Sequence, residues 1–392
     1  VDGNRYIDLG SFFGAALVGH RNPHVTEAVR TQAGRLLHCM GDVHPAGVKA
    51  RFLSAMAGRL PAPDYKAVLS LNGSDAVECA LKFAGAATGR AGIIAFEGAY
   101  HGLTAGALEV THNPAFREPF ACTLTGRGVF VPFPAADGSD MVEILEMIRN
   151  TARTCKTPLG RIGAVIVEPI QGRGGIRVPP AGFLAALARL ASEEGLVLVS
   201  DEIYTGGGRT GTFLAGDAEG IVPDAICLGK AIGGGVPVSG CWMRPALADA
   251  VKGLPFEAVH TSTFLGHPLG CAAGIGVLKA LDRGRLMAAA PRIDNQVRGR
   301  VEQWRKRHAF LGDVRGRGAF LGIPIIHPDS TLGGRIVARA LRRGVLLLTE
   351  GPAADVLAVM PPLTMTSRDL EQALDRLERA LDDAVAEGSA ND

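Results

Sequence analysis

The sequence predicts an α/β protein. A large domain has a mostly parallel sheet covered by helices on both faces, and a smaller α+β domain is made from both chain ends. Three observations predict this. Short apolar runs alternate with amphipathic stretches from residue 66 to residue 230, the βαβα order of a doubly covered sheet. Two of those runs, Leu196–Ser200 and Ala225–Leu228, have the length and composition of buried parallel strands. After about Leu281 the texture changes to long amphipathic helices broken by short strands.

The elements follow in order. Residues 1–18 read as a small meander, with Asp2-Gly3 as the turn and Tyr6–Leu9 as the return strand. This opening lies mid-pattern, so native residues are expected upstream of Val1. Gly19–Pro23 is a loop, and helices are expected over Pro23–Leu37 and Pro45–Leu60. Lys66–Leu71 is a strand, and Asn72-Gly73-Ser74-Asp75 opens a helix running to about Thr88. Gly92–Phe96 and Gly128–Val131 are strands, Met141–Thr151 a helix, and Ile162–Val167 a strand stopped by Glu168-Pro169. Pro180–Glu194 is the helix before the central strand. Leu286–His308 is a long helix, Val314–Ile326 and Val345–Val359 supply strands, and Leu332–Arg343 lies between them as a helix. In the last helix, Leu370, Leu374, Leu377 and Leu381 share one face, and Thr366 with Asp369 fits a capping box. The expected division is 1–40 and 282–392 for the small domain and 41–281 for the large one.

Composition narrows the function. A hydrophobic fraction of 47% with 20% charge describes a water-soluble globular chain. A formal charge of +2 gives no case for nucleic acid or an anionic membrane surface. No apolar stretch is long enough to span a bilayer. The seven cysteines are odd in number and form no C-x-x-C, a reduced intracellular usage, so a cytoplasmic location is expected. No group of residues has metal-ligand spacing.

The chemistry concentrates at strand ends. The run at Leu196 stops at Asp201-Glu202 and the run at Ala225 stops at Gly229-Lys230. In open α/β sheets the ligand sits beyond the carboxyl ends of the strands, so a carboxylate and an amine face one pocket. An Asp that pairs with a ring nitrogen and a Lys that forms an imine are what pyridoxal phosphate requires; a strand-end ion pair needs the same two residues. Gly73-Ser74-Asp75 opens a helix where free N–H groups and the dipole favour a phosphate; Ser74 equally suits an ordinary N-cap. Tyr100-His101-Gly102 follows the strand ending at Phe96, and Tyr100 there can stack on a flat ring or pack in a loop. Glu168 either orients the site or makes a structural ion pair. The hydroxyls of Thr261-Ser262-Thr263 can bind phosphate or cap the helix beginning near Pro268.

The ordered set NGSDAVECALKFA, AYHG, VIVEPIQGRGG, DEIYTGGGRTG, PDAICLGKAIGGG, HTSTFLGHPLGCAA and PPLTMTSRDL resembles the class III (omega) aminotransferases, pyridoxal-phosphate enzymes of fold type I. The resemblance covers almost the whole chain. It implies that Lys230 carries the Schiff base and then acts as the base that moves the substrate proton, and that Asp201 keeps the pyridine nitrogen protonated. It implies Gly73 and Ser74 at the phosphate, Tyr100 stacked on the ring, Ile203 on its other side, and His101, Glu168, Tyr204 and Ser262 in the same set. Thr263 would reach the phosphate of a neighbouring subunit, which implies a homodimer with shared sites. The implied reaction moves an amino group from an amine or amino-acid donor to a 2-oxo acid. A racemase or epimerase on the same scaffold is the alternative.

The chain departs from the family where substrates are read. Tyr204 stands where a Gln is usual and Gly207 where a Phe is usual. The stretch Leu357–Leu363 lacks the Arg that many members place before PPL, and Arg173 stands where those members carry a Glu. Both halves of that pair have changed together. Either Arg173 takes over carboxylate recognition, or the donor carries no carboxylate near its reacting carbon, or Arg173 makes a surface ion pair.

Overall fold

The computed structural model describes residues 3–253 and 258–388. Its main sheet is built from β1 (Lys66–Ser70), β2 (Gly92–Phe96), β3 (Gly128–Val131), β4 (Gly160–Val167), β5 (Val197–Asp201), β6 (Ala225–Leu228) and β7 (Ser239–Met243). Their spatial order is β1-β7-β6-β5-β4-β2-β3, with the short strand Lys156–Thr157 folded back on β4. From β6 across to β3 every pair is parallel. β7 runs antiparallel to both its neighbours. Nothing in the sequence reading anticipated this reversed strand.

Helices cover both faces because the strands bury both. Ile93 and Ala95 of β2 pack with Ala76, Ala80 and Phe83 of the helix Gly73–Thr88 on one side. Ile94 and Phe96 pack with Ile144 and Ile148 of the helix Met141–Thr154 and with Leu187 of the helix Phe183–Glu193 on the other. The alternation is the period-2 geometry of a strand, applied to a run that is apolar throughout.

A second sheet, of β8 (Arg315–Arg317), β9 (Phe320–Pro324), β10 (Leu348–Glu350) and β11 (Val356–Val359), is antiparallel in the order β8-β9-β11-β10. The helices Leu332–Arg342 and Ser367–Gly388 accompany it, and Leu370, Leu374, Leu377 and Leu381 are all fully buried. Thr366 Oγ1 accepts the Asp369 N–H at 3.1 Å, one half of the expected capping box.

Several expectations need correction. Within the described residues the N-terminal segment is no meander. Ile7–Asp8 pairs in parallel with Val345–Leu346, so the strand finds its partner more than three hundred residues away. Asp2 lies outside the described residues. The first two helices end early, at Ala33 and Ala57, each closed by a glycine, Gly34 and Gly58. Leu286–Ala288 is a 3-10 turn ahead of the helix Ala289–Arg305. The regions 314–326 and 345–359 each split into separate strands.

Candidate active site

The carboxyl ends of β4, β5 and β6 and the first turn of the helix Gly73–Thr88 converge on a cavity of about 320 Å³. Gly73, Ser74, Tyr100, His101, Glu168, Arg173, Asp201, Ile203, Tyr204 and Lys230 all line it. Gly102 of the Tyr100-His101-Gly102 stretch lines it as well, and so does Phe13, which had no sequence signal.

Asp201 ends β5 and is held on both oxygens. One accepts the Ile203 N–H at 3.0 Å, and the other lies 2.7 Å from His101 Nδ1. His101 is itself placed by its N–H, which donates to Thr111 Oγ1 at 2.9 Å. Lys230 follows β6 with φ at +31°, a conformation an L side chain rarely adopts. Such strain concentrates at functional positions. Its Nζ lies 4.0 Å from the centroid of the Tyr204 ring. Burial pushes the Lys230 ammonium below its usual pKa, opposed by the charges of Asp201, Glu168 and Glu350. A depressed amine pKa raises the fraction that is neutral and nucleophilic at neutral pH.

The two acids flagged beside these strands differ in role. Glu168 accepts N–H groups from Tyr100 at 3.0 Å and Gly172 at 2.9 Å, and burial raises its pKa to about 7. Glu202 points away. It accepts from Thr205 Oγ1, the Ala215 N–H at 3.0 Å and the Gly216 N–H at 2.8 Å, and burial raises it to about 7 as well.

The helix entrance is capped by Asn72, whose side chain accepts the Asp75 N–H at 3.0 Å. Ser74 is therefore not the cap. It sits in the first turn, where N–H groups have no intrahelical acceptor, and its Oγ accepts the Leu103 N–H at 3.3 Å. A Cβ at Gly102 would lie 2.1 Å from that Oγ, so only glycine lets this loop close over Ser74. His101 Nε2 is buried with no hydrogen-bond partner. An imine-forming amine, an anchored carboxylate, an open helix N-terminus and an orphaned ring nitrogen fit a phosphorylated pyridine aldehyde.

Arg173 brings a residue the sequence reading missed. Its Nη1 lies 3.4 Å from Glu350 Oε2, and the Glu350 side chain is fully buried. Glu350 Oε1 accepts the Tyr204 hydroxyl at 2.8 Å. The guanidinium also stands over the rings of Phe13 at 5.2 Å and Tyr100 at 5.6 Å. Burial raises the pKa of Glu350, while Arg173 and the Tyr204 hydroxyl pull it back. Burial, with the Glu350 charge added, holds the Tyr204 phenol well above its usual pKa.

Ser262 and Thr263 are not brought to this cavity. Both are exposed and line a separate surface hollow with residues 38–43. The helix Pro268–Gly284 is capped instead by His267, whose Nδ1 accepts the Leu269 N–H at 3.3 Å.

The fold and the cavity define a pyridoxal-phosphate-dependent enzyme. The family Aminotransferase class-III matches residues 1–381, and the chain belongs to it. The 5-aminovalerate aminotransferase DavT of Pseudomonas aeruginosa is 33% identical over 98% of this chain and 91% of its own length. The acetylornithine aminotransferase of Methanopyrus kandleri is 37% identical over 97% and 90%. An alanine/serine racemase of Pyrococcus horikoshii is 31% identical over 98% and 84%. Among solved structures, an (S)-enantioselective omega-transaminase from Thermomicrobium roseum superposes with a TM-score of 0.90 at 26% identity, covering 98% of this chain and 90% of that one. The chain is a transaminase that uses pyridoxal phosphate to move an amino group to a 2-oxo acid.

Proposed function

We propose that Lys230 and Asp201 are the catalytic pair of this transaminase. The observation that carries the proposal is that both line one cavity, with Lys230 strained and Asp201 fixed on both oxygens. When bound, the cofactor supplies an aldehyde for imine formation and a protonated pyridine that stabilises charge on the substrate carbon. Asp201, oriented by His101, holds the proton on the ring nitrogen. Gly73 and Ser74 would offer N–H groups to the phosphate, and Tyr100 and Ile203 would pack on the ring. Lys230 Nζ would serve as the base that takes the proton from the substrate carbon. Glu168 ties Tyr100 to the loop at Gly172. The test is Lys230→Ala: donor amine should give no keto product while the far-ultraviolet circular dichroism is unchanged. Keto product from the purified variant would refute the assignment.

Arg173 is the carboxylate clamp of this site, because it is the arginine on the cavity wall. A racemase would return the proton to the substrate, so optical rotation would change with no keto product.

The enzyme works as a homodimer. Met40, 61% exposed, lines the hollow that holds Thr263, and Leu37 and Phe264, each next in sequence to a lining residue, are 59% and 49% exposed. An exposed apolar patch of this kind marks an interface, and Thr263 would then serve the partner's phosphate. Light scattering giving a monomer at micromolar concentration would overturn this. Residues 41–281 form the cofactor-binding domain, with 1–40 and 282–392 as the small one; a stable proteolytic fragment with other bounds would revise the division. All seven cysteines are free, in keeping with a cytoplasmic location, which cell fractionation tests.

A further inference from the structure

A second cavity, of about 720 Å³, lies where Pro134–Ala136 and Arg177–Val178 meet the β8 hairpin. Four arginines and Asp313 line it, and of these Arg177, Arg315 and Arg317 make no ion pair among the described residues. The surrounding charges are already neutralised: Arg298 is paired with Asp294, and Asp313 with Arg305. In a chain whose formal charge is only +2, this is a local excess of positive charge.

The arginines are held on a rigid frame. Arg315 and Arg317 are two apart on β8 and share one face of the strand. Arg298 fixes that strand, donating to the Val314 carbonyl at 2.5 Å and the Gly316 carbonyl at 2.9 Å. Gly316 has φ at +98°, and a Cβ there would lie 2.0 Å from the Phe320 carbonyl, so the hairpin closes only with glycine between the two arginines. Arg177 is locked by a hydrogen bond to the Phe133 carbonyl at 2.8 Å and stands over the Phe133 ring. Burial and the nearby charge of Arg315 lower the Arg177 pKa, and the charges of Glu97 and Asp140 oppose them only in part. Ala136, Val178, Val314 and Ile326 add apolar wall between the charged groups, and Ile326 is 70% exposed. Small-molecule sites have this make-up, apolar walls with a few fixed polar groups, and they favour seams between structural units.

The cavity also touches the active site mechanically. Gln171 and Arg177 exchange backbone hydrogen bonds of 3.0 and 3.1 Å, closing a hairpin with Arg177 at its base. The tip of that hairpin carries Arg173, whose carbonyl accepts the Gly351 N–H at 3.1 Å, next to Glu350.

We propose that this seam is a second ligand site, for a small doubly charged oxyanion on an apolar body, and that its occupancy tunes Arg173 through the 171–177 hairpin. Planar guanidiniums bind phosphate and carboxylate groups bidentately. Removal of the repulsion between Arg177 and Arg315 favours occupancy. The apolar walls select a phosphate monoester or dicarboxylate over the bare ion.

The test is isothermal titration of the cofactor-loaded enzyme with phenyl phosphate, phthalate and inorganic phosphate, on wild type and on the double variant R315Q/R317Q. Cofactor loading keeps the probe out of the catalytic phosphate site. Neither arginine makes a side-chain hydrogen bond or ion pair among the described residues, so the variant should fold, and a matching thermal melt checks this. The expected result is saturable binding of at least one organic anion, tighter than inorganic phosphate, and weakened tenfold or more in the double variant. Binding should also change the KM for a carboxylate donor while leaving that for a neutral amine unchanged. Phenyl phosphate and phthalate tell a phosphate ester from a dicarboxylate. No saturable binding, equal binding by the double variant, or equal affinity for inorganic phosphate would each overturn the proposal.

Discussion

Tyr204→Phe isolates one hydrogen bond at the heart of the site. The phenol donates to Glu350 Oε1 at 2.8 Å, and Glu350 Oε2 has no hydrogen bond of its own. Loss of the hydroxyl leaves a fully buried carboxylate that keeps Arg173 at 3.4 Å and the charge of Lys230 but no hydrogen-bond donor from Tyr204. A buried acceptor left unsatisfied costs about 1–3 kcal/mol. The upper half of that range applies because the orphaned group is charged. The ring under Lys230 survives, so the contact at 4.0 Å is retained and the loss belongs to Glu350. Glu350→Gln keeps an acceptor for the phenol but drops the charge facing Arg173, which is one-third exposed. Solvent screening reduces that second loss to about 1 kcal/mol or less. The assay is urea unfolding of the cofactor-loaded enzyme for wild type, both single variants and the double variant. The expected coupling between positions 204 and 350 is about 1–2 kcal/mol, inside the span of about 0.5–3 kcal/mol for residues in one network. Additive losses, or a Tyr204→Phe variant as stable as wild type, would refute the reasoning.

Other perturbations follow from the same geometry. Arg173→Ala should lower kcat/KM at least tenfold for donors bearing a carboxylate and leave a neutral amine donor unaffected; equal loss for both would remove the clamp role. His101→Phe should loosen the cofactor by releasing one oxygen of Asp201, read as a raised dissociation constant in a cofactor titration. Leu377→Ala, at a fully buried position, should cost about 2–5 kcal/mol of stability with little change in kcat. The pH dependence has a definite sign. Burial lifts Glu202 from 4.5 to about 7, so between those values the folded state binds more protons than the unfolded. Its contribution to stability is therefore present at low pH and lost as pH rises through about 7. The melting temperature of wild type should fall more between pH 5.5 and pH 8 than that of Glu202→Gln; a variant with the same or a steeper fall would contradict this.

Much of the fold was legible because parallel strands buried on both faces leave continuous apolar runs, as at Ile162–Val167 and Ala225–Leu228. Their ends pointed to Glu168, Asp201 and Lys230, and ten of the anticipated site residues share one cavity. β7 was passed over because SGCWM has a glycine and lies close behind a glycine-rich loop. Glu350 carried a usable signal, since the apolar run Val345–Leu348 is followed by Thr349 and an acid, the same pattern that exposed Asp201. What no local pattern could supply is its pairing with Tyr204, 146 residues away. Asn72 outcompeted Ser74 for the cap because both are good capping residues and only backbone geometry decides between neighbours. The parallel pairing of Ile7–Asp8 with Val345–Leu346 was beyond reach for the same reason: register between distant segments is written in tertiary packing.

The most direct measurement is to reduce the cofactor-loaded enzyme with borohydride and map the modified peptide by mass spectrometry. The pyridoxyl group should be found on Lys230, and the absorbance above 400 nm seen before reduction should be absent from Lys230→Ala. A label on another lysine, or a Lys230→Ala variant that still traps the cofactor, would contradict the account.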